Sequence, residues 1–159
     1  MSLTEEEFEE QLADLLINYL ENCSPKQIYQ ALLGWNFDNP KQAIAWIASS
    51  PKTDKGSALL LFWLMEPDFA YQFDTREEML NKSSWYAENF DIVETLEKNY
   101  LSNFYKQQNY AYTPPAYFHD NAMKRAIPKE LFIPLTGEEV PEPTDWEDGF
   151  PAELQAKKK

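Results

Sequence analysis

The residue types that do most covalent and metal chemistry are scarce in this chain. Cys23 and His119 are its single cysteine and single histidine. A structural zinc site takes four Cys or His ligands, so these two cannot build one. A Cys23–His119 nucleophile–base pair is conceivable on paper. The plainer reading makes Cys23 a small apolar residue after the first helix and His119 a surface residue. Glycine stands only at 34, 56, 137 and 149, which leaves no glycine-rich loop for a dinucleotide or a nucleoside triphosphate. No cofactor, no metal and no catalytic residue is therefore assigned. Carboxylates such as Asp68 and Asp74 are frequent enough to pair by chance. The loop Asp145-Trp146-Glu147-Asp148-Gly149 lacks the length and alternating oxygen ligands of an EF-hand and reads as a solvated acidic turn.

Charge narrows the partners. The 159 residues hold 27 acidic against 14 basic side chains, a formal net charge of −13. That field repels nucleic-acid phosphates, and no basic stripe opposes it locally. It suits either solubility or a basic protein partner. The longest apolar run, Ala58 to Met65, is eight residues, far below the roughly 20 that span a bilayer. The first residues are acidic (Glu5, Glu6, Glu7, Glu9, Glu10), unlike the basic start of a signal peptide. The expectation is a cytoplasmic protein that binds neither nucleic acid nor membrane.

Aromatics reach 15%, and a composition so rich in rings implies a packed fold. Its elements read as helices. Thr4 and Glu7 form a capping box, with Leu3 and Phe8 placed as a hydrophobic staple, opening a helix over 4–22. Ser24-Pro25 starts a second, which Gly34 stops. Asn39-Pro40 opens a third, blocked at Pro51. Asp54 caps a fourth over 55–65, apolar on all sides and thus expected at the centre. Thr75 and Glu78 begin a short helix over 76–82. Tyr86, Phe90, Val93, Leu96, Tyr100, Leu101 and Phe104 mark another over 84–106. Residues 107–159 hold seven of the eleven prolines but too many apolar residues for a free tail. They predict an extended segment wrapped on the helices, with one short helix near 115–125 and a disordered basic end, Lys157 to Lys159. The fold class is all-α: one domain of five or six helices around the Ala58–Met65 helix (1–106), with the Pro-rich, aromatic and acidic wrap (107–159) on the same body.

Two stretches are candidates for function. Tyr100 to Phe118 contains seven aromatics, Lys106 and no acidic residue. Interface centres favour aromatics and exclude charge, so Tyr110, Tyr112, Tyr117 and Phe118 are a candidate partner surface. The alternative is that these rings pack the wrap onto the helices. The second stretch is Trp35-Asn36-Phe37-Asp38, followed by Asp54-Lys55-Gly56-Ser57-Ala58-Leu59-Leu60-Leu61-Phe62-Trp63.

This second stretch resembles the signature of a bacterial domain-of-unknown-function family of small acidic helical proteins, built around a D-x-G-[ST]-A-L-L motif ending in an aromatic pair. The resemblance covers about residues 28–75. It implies a compact helical domain, brings no catalytic residues, and is similar to small acidic proteins that act as immunity partners beside secreted toxins. Trp35, Asp38, Asp54, Gly56 and Trp63 are the candidate motif residues. Each also has a structural role open to it: Asp54 as a cap, Gly56 for close approach, the rings as core. The leading expectation is a protein–protein interaction module of immunity or adaptor type. The alternative is a hydrolase-like enzyme using Asp38 or Asp54, and a third reading is homo-oligomerisation through the aromatic helix 84–106.

Overall fold

The computed structural model describes residues 3–116 and 118–157. Seven α-helices dominate the described residues: α1 (Glu5–Asn22), α2 (Pro25–Leu33), α3 (Lys41–Ser49), α4 (Lys55–Leu64), α5 (Arg76–Ser83), α6 (Ala87–Leu101) and α7 (Ala152–Lys157). Short 3-10 helices cover Pro67–Gln72, Ser84–Tyr86 and Lys129–Phe132. A two-stranded antiparallel ribbon pairs β1 (Trp146–Glu147) with β2 (Phe150–Pro151). The fold is mainly α, in agreement with the class read from the sequence.

The helix starts obey their local chemistry. Thr4 Oγ1 accepts from Glu7 N at 3.1 Å. Ser24 and Gln27 make a reciprocal capping box, 3.2 and 2.8 Å, which satisfies two otherwise orphaned amides. Helix α4 is the centre. Every residue from Gly56 to Phe62 is buried, and the helix packs on α2, α3 and α6. Leu59 and Leu61 are fully enclosed, where truncation to Ala costs about 2–5 kcal/mol.

Three sequence expectations are corrected. The helix over 84–106 is shorter, and a 3-10 turn at Ser84–Tyr86 precedes it. It stops because Asn103 is left-handed (φ 60°), with Asn103 N donating to Tyr100 O and Phe104 N to Asn99 O. These are the two bonds of a Schellman ending, closed here by Asn rather than Gly. Helix α3 begins at Lys41, and Asn39 makes no capping bond. Residues 115–125 form no helix among those described. Asp120 accepts Ala122 N at 2.8 Å, while Lys124 N and Arg125 N both donate to Tyr71 O, drawing the chain onto the body instead of into its own turns.

After Asn103 the chain becomes a strap. Its residues 109–112 meet 135–138 through four backbone hydrogen bonds, Ala111–Glu138, Tyr112–Leu135, Leu135–Tyr112 and Glu138–Asn109. The excursion between them is pinned by Arg125, whose guanidinium donates to Phe73 O, Ala70 O and Glu94 Oε1. Phe150 and Leu154 then bury against the body. Of the expected basic end, Lys157 closes α7; Lys158 and Lys159 lie outside the described residues.

Candidate functional site

The motif residues meet the strap. Asp54 is fully buried. Its Oδ2 accepts Gly56 N at 2.9 Å, capping α4. Its Oδ1 accepts Asn109 N at 2.7 Å, and Tyr110 N approaches Oδ2 at 3.4 Å. One carboxylate therefore caps the central helix and fastens the returning chain, and neither oxygen is exposed for acid–base work. Lys55 N donates to Gln107 O at 2.7 Å beside it. Gly56 is explained by the same contact, because a Cβ there would lie 2.4 Å from Tyr110 O, closer than any side chain tolerates.

Trp35 is buried and packs on Phe150 with ring centroids 5.4 Å apart. Next to it Gly149 turns at φ +85°, its Cα facing Ala31 O so closely that a Cβ would sit 2.4 Å from that oxygen. Gly34 faces Gly149 in turn. Trp63 donates Nε1–H to Leu131 O at 2.9 Å and packs on Phe132 at 5.1 Å. Asp38 is the exception. It is exposed, and its amide donates to Asn36 Oδ1 at 2.9 Å in the turn before α3. The structure gives Asp38 and Asp54 no common cleft.

The aromatic segment packs in the same seam. Tyr110 lies edge-on to Tyr29 at 6.1 Å, and Tyr29 Oη donates to Ala111 O at 2.8 Å. Tyr110 and Tyr112 are partly buried against the core. Burial and the nearby Asp54 carboxylate raise the pKa of Tyr29, and the same two causes with Glu138 raise that of Tyr110. Phe118 is 38% exposed, and Tyr117 lies outside the described residues.

A different region keeps its chemistry outward. Helices α3 and α6 border an open cleft of about 230 Å³ lined by Lys41, Gln42, Ala45, Glu88, Ile92 and Thr95 among others. Asp91 also lines it and is held by Arg76 in a two-pronged pair at 2.8 and 2.9 Å. Immediately before α6 stands Trp85, 76% exposed and stacked on Phe69 at 5.6 Å. Carboxylates act on its neighbour Tyr86. Burial first, then Asp68, Glu66 and Glu94, push the neighbouring Tyr86 phenol up to about 12, against a backbone contact at Ala70. Glu66, Asp68 and Glu88 make no ion pair among the described residues.

Sequence reasoning missed Trp85. No periodic signal marked it: at about 100° per residue Trp85 falls in line with Ile92 and Leu96, both buried, so the helical stripe predicts it inside. It stands instead in the 3-10 turn Ser84–Tyr86, outside the α-helical register.

Among the described residues no group of three or more His, Cys, Asp or Glu is placed to hold a metal ion. No helix of the described residues is long and apolar enough to cross a membrane. Residues 24–101 match the model of a family described as "Domain of unknown function (DUF4274)". No curated protein and no solved structure matches the chain.

Proposed function

We propose that this chain, which carries a DUF4274 domain over residues 24–101, is a protein-interaction module of adaptor or immunity type whose docking face is the α3–α6 cleft and the Trp85 knob. The observation that carries the reading is Trp85 itself, 76% exposed where the other tryptophans are buried or half-buried. Tryptophan is the residue most enriched among interface hot spots, and exposing one to water has no folding benefit. Phe69 stacks beneath it and holds the indole in one place, which lowers the entropy lost on binding.

The partner's chemistry follows from the rim. Glu88 lines the cleft and Asp68 precedes the Phe69 that carries the knob, on a chain of net charge −13. A basic partner is steered in and matched by this arrangement, whereas a second copy would bring like charges together. The resemblance to small acidic immunity partners fits the same electrostatics.

The test is recovery of a stoichiometric partner by the tagged full chain from its source cell. Trp85→Ala is expected to lose that partner while Glu6→Gln, at an exposed residue of α1 that does not line the cleft, keeps it. Undiminished capture by the Trp85→Ala chain, or no stoichiometric partner for the unaltered chain, overturns the reading.

A further inference from the structure

We propose that the pocket beyond the C-terminal end of α4 receives an arginine side chain of the partner; the inference rests on the interaction reading above and names what the partner contributes. The pocket, about 310 Å³, is lined by Phe37, Lys41, Leu64, Met65, Glu66 and Asn89. Lys41 also lines the α3–α6 cleft, so pocket and cleft adjoin at that side chain.

Each wall supplies something a guanidinium on an aliphatic stem requires. Leu64 and Met65 offer apolar surface for the methylenes. Glu66 offers the opposite charge on an exposed carboxylate. Asn89 lines the opposite wall and adds a polar, uncharged side chain there. Helix α4 ends in the pocket wall at Leu64 with no basic residue in its last turn, so its negative end adds to Glu66. Phe37 presents a ring face. That this face accepts a cation is visible already: Lys41 Nζ sits 5.6 Å from the ring centroid while donating to Phe37 O at 3.0 Å.

The backbone also commits Glu66 to this place. Glu66 is left-handed at φ 50°, ψ 66°, a conformation costly for a residue with a Cβ. Pro67 follows and disfavours the right-handed helical alternative for the residue before it. The turn so formed fixes the carboxylate-bearing carbon at the pocket's edge. Arginine fits better than lysine. Its planar fork can meet both oxygens of the Glu66 carboxylate and lie flat on Phe37, and its weaker hydration eases entry.

Backbone-amide NMR of the full chain, titrated with N-acetyl-arginine methylamide, tests the assignment. Saturable shifts are expected at Met65, Glu66 and Asn89. Glu66→Gln, a change at an exposed side chain, should weaken the response about fivefold. Lys41→Met should strengthen it by removing the resident competitor. Shifts no larger at Glu66 than along Glu5–Glu10, a weaker response in Lys41→Met, or equal responses to the arginine, lysine and norleucine methylamides would each overturn the proposal. The two readings separate cleanly. Absence of the arginine response with partner capture still dependent on Trp85 removes the pocket and leaves the docking face. An arginine response with Trp85-independent capture does the reverse.

Discussion

Asp54 and Glu66 stand at opposite ends of α4, and their surroundings could hardly differ more. Asp54 is sealed from water, with backbone amides of α4 and of the strap on both its oxygens. Glu66 stands exposed beyond the helix end, on a left-handed backbone and without an ion pair among the described residues. The same division runs through the aromatics: Trp35 and Trp63 are held by Phe150 and Leu131, while Trp85 faces solvent. Motif-like residues can therefore owe their identity to holding the chain's own segment. Surplus chemistry, the kind a partner can use, is found where side chains remain unmatched.

The comparison can be broken at the closed end first. Gly56→Ala sets a Cβ against Tyr110 O, a backbone atom that cannot step aside. It is expected to lower stability by about 3 kcal/mol, in the upper range of overpacking. Urea unfolding should show the loss, and hydrogen exchange should show the Asn109 amide losing protection. Asp54→Ala comes next at about 2–3 kcal/mol, from a lost cap and a buried amide left unmatched. An unchanged urea midpoint in either variant would remove the strap seam as the reason for these residues.

Buried tyrosines sharpen the same contrast through pH. Burial raises Tyr19, Tyr86 and Tyr100 to about 12, and it raises Tyr71 and Tyr105 as well, Tyr71 also through its bond to Glu97. A raised folded-state pKa means stability fully present below the unfolded phenol value, about 10. That stability is lost as pH rises through the folded values. Thermal melts should hold steady to about pH 9 and fall steeply above 10.

A smaller effect lies at acid pH. Glu78 is lowered to about 2, chiefly by its hydrogen bond with Lys124 and then by the Asp74 amide. Its contribution is present above the ordinary carboxylate value and disappears as pH falls through about 2. Lys124→Met should flatten that part of the acid melt profile, and an unflattened profile would detach this strap anchor from Glu78. At the open end, Trp85→Ala should move stability by less than about 0.5 kcal/mol while weakening partner binding by about 30-fold. A large melting shift in that variant would make Trp85 a structural residue.

Much of the fold was legible because local chemistry decides it. Thr4, Ser24, Asp54 and Thr75 each accept the amide their spacing promised, and the unbroken apolar run 58–65 could settle only at the centre. The ends ruled by longer-range bonds were not legible. Residues 115–125 carry no local signal that Tyr71 O will take two of their amides. Asn103 closes α6 where a glycine is the expected sign. At the candidate site, Tyr110 and Tyr112 were readable as rings without charge, a pattern shared by interfaces and cores, and only their contact with Tyr29 and with the segment 135–138 assigns them to the seam.

By itself, then, the sequence determined composition, charge, helix starts and the identity of the central helix. These depend on side chains within four residues of one another, or on burial that any compact fold would demand. Tertiary structure alone decided which acid is sealed and which exposed. Asp54 and Glu66 are both carboxylates at the ends of one helix. What separates them is a segment some fifty residues away, whose Asn109 amide reaches Asp54 and not Glu66.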